Sequence, residues 1–161
     1  MIRAGATAPE FEASLVTTEG ELARTRLSEW TQEPPVVLAF FPAAFSGTCT
    51  DEVRAIQTDI ERYADAGGTV LGVSTDLPWT LRAFAAEEGL SFPLVGDHDR
   101  EAVRAFDVVD DFPDLGLSAV ARRSVFVLDG DGTVTYAWAA DDPDAEPPYE
   151  DVLAAVRGTQ S

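Results

Sequence analysis

The chain holds a single cysteine, and its surroundings constrain the fold more tightly than any other stretch. Cys49 lies within the run Phe40-Phe41-Pro42-Ala43-Ala44-Phe45-Ser46-Gly47-Thr48-Cys49-Thr50-Asp51-Glu52. The apolar segment Val36-Val37-Leu38-Ala39 before it predicts a buried strand, by its length and β-branched content. Val53, Ile56, Ile60 and Tyr63 after it recur at helical spacing. They predict a helix reaching about Asp65, with Ala66-Gly67-Gly68 as its stop. Cys49 is therefore expected at a strand-to-helix junction, in the first turn. Unpaired N–H groups and partial positive charge gather there, and such surroundings favour a thiolate, the nucleophilic form of the side chain. A lone cysteine is more often a small buried hydrophobe; its position is what argues for chemistry.

The remaining segments alternate in type. Phe11, Ala13 and Leu15 predict a strand, Thr18 to Gly20 a turn, and a second short strand follows. Leu27 to Trp30 fits one helical turn, stopped by Glu33-Pro34-Pro35. Thr69 to Ser74 predicts a buried strand, and Trp79, Arg82, Ala83 and Ala86 predict a helix entered through Pro78. Phe92 to Val95 predicts a short strand or extended link, Glu101 to Phe106 a short helix, and Asp110 to Leu117, with Pro113 and Gly116, a loop. Ser124 to Leu128 and Thr133 to Trp138 predict two strands joined by a turn at Asp129-Gly130-Asp131-Gly132. An acidic, proline-rich loop from Pro143 to Pro148 then leads to a helix over Tyr149, Val152, Leu153 and Val156, ending near Gly158. Such alternation predicts an α/β architecture. With 161 residues, neither repeat nor linker, a single domain spanning 1–161 is expected.

Charge narrows the partners. Against 29 acidic residues stand 11 basic ones, all arginine, for a net charge of −18. That balance argues against nucleic acid and against anionic membrane surfaces. It matches the composition of proteins from salt-loving organisms, in which concentrated salt screens self-repulsion. No apolar run approaches the roughly 20 residues of a membrane span, and Met1 to Gly5 lacks the apolar core of a signal peptide. The expectation is a cytoplasmic protein.

The order Pro42-x-x-x-Ser46-x-x-Cys49 resembles the active-site motif of peroxiredoxins, Pro-x-x-x-Thr/Ser-x-x-Cys, and Glu52 matches an acidic position often found three residues later. The stretch Ala8-Pro9-Glu10-Phe11 resembles the segment that precedes the peroxiredoxin core. The resemblance covers roughly Ala6 to Val156. It implies a thioredoxin-like fold with the peroxiredoxin N-terminal hairpin and insertions, and a thiol-dependent peroxidase. Cys49 would attack hydrogen peroxide or an organic hydroperoxide and become a sulfenic acid. The resemblance further implies that Pro42 shields the cysteine. Ser46, which alone reads as a helix cap, would hydrogen-bond the peroxide and the thiolate. Arg123, at the start of the Ser124-Val125-Phe126 strand, would hold the peroxide oxygens, and Glu52 would position an arginine, with Arg123 as candidate. Arg122 is its undecided neighbour.

One cysteine permits no intramolecular disulfide. Position 54, where a related subclass carries a resolving cysteine, is Arg54. A one-cysteine mechanism then follows, with an external thiol or redoxin as reductant. The motif context looks most like the E-type alkyl hydroperoxide reductase branch, with the bacterioferritin-comigratory branch second; a homodimer is left open. No cofactor or metal is expected: the sole histidine, His98, reads as a loop residue, and Asp129 to Gly132 lacks the later ligands of a calcium loop. Two other readings stay open, a peroxide sensor or redox-partner-binding module, and a thioredoxin-fold protein with a structural cysteine.

Overall fold

The computed structural model describes residues 1–159, so the last two positions of the expected 1–161 domain lie outside the described residues. In chain order it forms β1 (Glu12–Val16), β2 (Leu22–Arg26), α1 (Leu27–Trp30), β3 (Val36–Phe40), α2 (Gly47–Thr58), α3 (Ile60–Asp65), β4 (Thr69–Ser74), α4 (Pro78–Glu88), β5 (Leu94–Gly96), α5 (Glu101–Ala105), β6 (Val109–Phe112), β7 (Leu117–Ala121), β8 (Ser124–Leu128), β9 (Val134–Ala139) and α6 (Tyr149–Gly158). Seven strands make one sheet in the order β2-β1-β5-β4-β3-β8-β9. The strands β3, β4 and β5 run parallel, and antiparallel partners flank them.

Every residue of β3 is buried, because helices cover both faces of the sheet. Val37 and Ala39 join Val53, Ile56, Phe84 and Leu153 on the face covered by α2, α4 and α6. Val36, Leu38 and Phe40 point the other way, toward Val103 of α5 and the rings of Phe11, Phe106 and Phe126. Four phenylalanines interlock there: Phe106 lies 5.5 Å from Phe40, 5.1 Å from Phe126 and 6.1 Å from Phe11 by ring centroids, the tilted and edge-on geometry that aromatic quadrupoles prefer. On the opposite face Gly72 makes room for Leu94, since a Cβ there would lie 2.6 Å from a Leu94 methyl.

Two expectations need correction. The helix that begins at Gly47 does not run unbroken to Asp65; it stops at Thr58 and restarts as α3. Asp59 leaves helical geometry, and its N–H is shared among the carbonyls of Ala55, Ile56 and Gln57. The break redirects the chain: α2 packs on α4, whereas α3 packs on α6 and β4. The second correction concerns 110–117, which is not a loop. It holds β6, a 3-10 turn at Pro113–Leu115, and the start of β7. The two strands form a separate antiparallel hairpin with an irregularity between Asp110 and Phe112. Its root is pinned by buried Val120 and Ala121, while Leu115 is 73% and Leu117 38% exposed. Among the described residues no helix is long and apolar enough to cross a membrane.

Candidate active site

The segment 41–46 carries the chain from β3 to α2, and the end of β4 holds it in place. Phe41 N–H donates to the Val73 carbonyl at 2.9 Å. The Asp76 carboxylate accepts from Ala44 N–H at 2.8 Å and from Ser74 Oγ at 2.7 Å. Phe45 adopts φ +70°, a conformation that bulky residues rarely accept. Its ring, 5.0 Å from that of Phe84, ties it to α4. Ser46 sits at the N-cap position of α2 in extended geometry but makes no side-chain cap. Its hydroxyl turns back and donates to the Ala43 carbonyl at 3.0 Å. The N–H groups of Gly47, Thr48 and Cys49 consequently have no acceptor among the described residues and stay available to a ligand oxygen.

Cys49 follows in the first turn of α2, 1% exposed. Arg123, three per cent exposed and immediately before β8, reaches it across the sheet, because β3 and β8 pair with Phe40 opposite Ser124. Its Nη2 donates to Cys49 Sγ at 3.4 Å and to the Pro143 carbonyl at 3.2 Å, and its Nη1 donates to Glu52 Oε1 at 2.5 Å. Glu52 lies one helical turn after Cys49 and is fully buried, so the cysteine and the carboxylate share one helix face and grip one guanidinium. Arg123 Nε and Glu52 Oε2 are buried without hydrogen-bond partners among the described residues.

Burial pushes the Glu52 carboxyl up to about 7; Arg123 pulls it down, while Glu146 adds to the rise. Burial depresses the Arg123 guanidinium, but the charges of Glu52 and Cys49 more than offset this and raise it. A fully buried carboxylate with one oxygen unpaired resists ionisation even beside a guanidinium. Glu146 also accepts the Tyr149 hydroxyl at 2.6 Å, a bond that with burial raises the phenol.

Of the residues expected from sequence, Cys49, Glu52 and Arg123 come together in one buried cluster, and buried Pro42 lines the cavities beside it. Ser46 lines the cavity of about 270 Å3 from its exposed rim and makes no hydrogen bond to Cys49. Arg122 faces away: its Nε donates to the Ala140 carbonyl at 2.7 Å. Arg54 binds Glu88 at the end of α4. His98 is exposed, in the loop after β5, and Asp129 Oδ1 accepts from Asp131 and Thr133 N–H within a hairpin turn. Among the described residues, no cluster of histidine, cysteine and carboxylates could hold a metal ion. Sequence reasoning read 143–148 as an acidic loop but did not foresee its part in the site. Its Pro143 carbonyl holds Arg123, and Asp144 accepts from Thr48 Oγ1 at 3.3 Å. A backbone carbonyl carries no sequence signal.

Residues 4–137 match the AhpC/TSA family. Peroxiredoxin Bcp of Escherichia coli strain K12 is 31% identical over 138 residues, covering 85% of each chain. Among solved structures, peroxidoxin BcpB from Mycobacterium tuberculosis superimposes with a TM-score of 0.84 at 28% identity over all of both chains. Enterococcus faecalis AhpC reaches 0.85 at 21% identity, over 98% of this chain and 92% of its own, a likeness of fold.

Proposed function

Because the chain belongs to the AhpC/TSA family of peroxiredoxins, we propose that it is a thiol-dependent peroxidase working through Cys49, assisted by Arg123, Pro42 and Ser46, with Glu52 as support. The observation that carries this reading is the buried guanidinium donor 3.4 Å from the only sulfur nucleophile. The sulfur attacks as thiolate one oxygen of a hydroperoxide. An S–O bond forms as the O–O bond breaks, sulfur is oxidised by two electrons, and the departing alkoxide or hydroxide takes a proton to leave as alcohol or water.

Negative charge develops on the departing oxygen. Arg123 and the free N–H groups at the start of α2 are aimed where that charge appears, and fixed donors of this kind require no reorganisation during reaction. Pro42 walls the sulfur from solvent, and the Ser46 hydroxyl stands at the mouth. Two equivalents of an external thiol or a redoxin return the sulfenic acid to thiol, yielding a disulfide of the reductant and water. We place the chain in the cytoplasm, working as one domain in concentrated salt, which its composition favours.

Mass spectrometry after one equivalent of hydrogen peroxide tests this. Wild type gains one oxygen at Cys49, reversed by added dithiol, and with excess peroxide proceeds to the sulfinic acid, since no resolving thiol intervenes. Cys49→Ser gains none and turns over no peroxide. An unmodified Cys49 in the presence of peroxide would leave the cysteine a structural residue.

A further inference from the structure

Arg123 is gripped from two sides. Glu52 holds Nη1 from within the core, and the Pro143 carbonyl accepts from Nη2 at 3.2 Å, the same nitrogen that donates to Cys49 Sγ at 3.4 Å. A guanidinium is planar, with its donors in a fixed fork. A single anchor lets that fork pivot about the bonded nitrogen. A second anchor, on the other nitrogen, fixes its plane and so directs the remaining Nη2 hydrogen at the sulfur. Nε has no partner among the described residues, so Glu52 and Pro143 are what orient the head group toward Cys49.

Pro143 belongs to a strap, residues 141–146, slung between buried Ala140 and buried Pro147. At one end Ala140 N–H donates to the Arg123 carbonyl at 2.9 Å; at the other, Glu146 accepts the Tyr149 hydroxyl at 2.6 Å. Between them Asp142 shapes a turn: its side chain accepts from Asp144 N–H at 2.8 Å and its carbonyl from Ala145 N–H at 3.0 Å. That turn brings the exposed Asp144 carboxylate to Thr48, whose Oγ1 donates to it at 3.3 Å. Thr48 directly precedes Cys49 in α2. One surface turn therefore touches both flanks of the sulfur, the arginine through a carbonyl and the helix through a carboxylate.

Resting on the peroxidase reading above, we infer that this strap sets the direction of the Arg123 guanidinium, and that Asp144, by latching the strap to Thr48, is a positioning residue for the reaction. Asp144 acts by keeping the Pro143 carbonyl on Nη2, and a small displacement of an oriented group is enough to forfeit much of its effect. The role needs an oxygen acceptor rather than a charge, which at the start of α2 repels a thiolate and a departing oxygen anion.

Stopped-flow rate constants for Cys49 oxidation by hydrogen peroxide in high salt test this, with thermal melts alongside. Asp144→Ala slows oxidation about fivefold, Thr48→Val does the same, and Asp144→Ala/Thr48→Val is no slower than either single variant, because both cut one contact. The melting temperature stays at the wild-type value in Asp144→Ala, since the side chain is exposed. Asp144→Asn, which keeps an acceptor for Thr48, rescues the rate. In an Arg123→Met/Glu52→Gln background, where no guanidinium is left to direct, Asp144→Ala has no further effect.

An Asp144→Ala protein that reacts at the wild-type rate overturns the latch. So does an equal loss in Asp144→Asn, which would mark an effect of charge. A loss in Asp144→Ala that persists without Arg123 also overturns it, by showing that the contact only steadies α2. If wild-type Cys49 does not react with hydrogen peroxide, the peroxidase reading falls and the latch with it. That outcome is distinct from a fast wild type whose rate the strap variants leave alone.

Discussion

Glu52 and Arg123 form a pair whose two members have opposite interests. The arginine needs a counter-ion to stay charged in a buried site, and the carboxylate is strained by the same burial. Removing one partner leaves the other uncompensated, at a cost of about 3–5 kcal/mol. Arg123→Met should therefore lower unfolding stability by about that amount, and Arg123→Met/Glu52→Gln should recover most of it in a denaturant titration. Neither restores catalysis: loss of the guanidinium is expected to slow peroxide reduction about 10²–10³-fold.

The raised Glu52 carboxyl also sets a pH signature. From an ordinary 4.5 to about 7 in the folded protein, the folded state holds a proton that the unfolded chain has lost. Stability contributed by this group is thus greatest at low pH, falls as pH rises from 4.5 to 7, and is constant above; the whole change is roughly 3 kcal/mol. Subtracting the pH profile of Glu52→Gln from that of wild type isolates it, because surface carboxylates contribute equally to both. A difference that is flat over that window would show Glu52 ionised like a solvent-exposed glutamate.

At the scale of elements, the sequence made some pieces plain and hid others. The β3 and β8 strands stand out as unbroken apolar runs because they are buried on both faces, and Cys49 is placed at a helix start by the spacing of Val53 and Ile56. The link to Arg123 came from resemblance alone, since residues 74 positions apart meet only through the β3–β8 register. The β6–β7 hairpin was illegible for a physical reason. Asp110, Asp111, Pro113 and Gly116 are loop-forming residues, the strand pair is irregular, and Ala119 takes φ +56°. The break at Asp59 has neither proline nor glycine to announce it. Asp76 was equally silent, though it fastens the motif segment through Ala44 and Ser74. Asp76→Ala should release that segment, lowering stability by about 1–3 kcal/mol and slowing Cys49 oxidation about tenfold, a joint effect that thermal melts and stopped-flow traces would register together. An undiminished rate would mean the segment keeps its shape unaided.

For the whole molecule, charge dominates. A net −18 on a 161-residue chain opposes compaction, and few exposed cations answer it: Arg24, Arg54 and Arg62 are already committed to Glu12, Glu88 and Glu150. Salt screening beyond roughly 10 Å at 0.1 M relieves mainly the long-range repulsion. The melting temperature should accordingly climb steeply with potassium chloride up to molar concentrations, whereas the buried Cys49–Arg123–Glu52 cluster, shielded from ions, keeps its geometry throughout. Full stability in salt-free buffer would remove the saline-habitat reading without touching the chemistry.

The most direct test of the chemistry is the second-order rate constant for Cys49 with hydrogen peroxide, followed by tryptophan fluorescence in high salt and compared with free cysteine under the same conditions. A buried sulfur merely tolerated in the core would react more slowly than the free amino acid. A sulfur flanked by Arg123 and the open N–H groups of α2 should react at least a thousandfold faster, and should lose most of that advantage in Arg123→Met. A wild-type rate at or below that of free cysteine would contradict the assignment of this cluster as a peroxidase site.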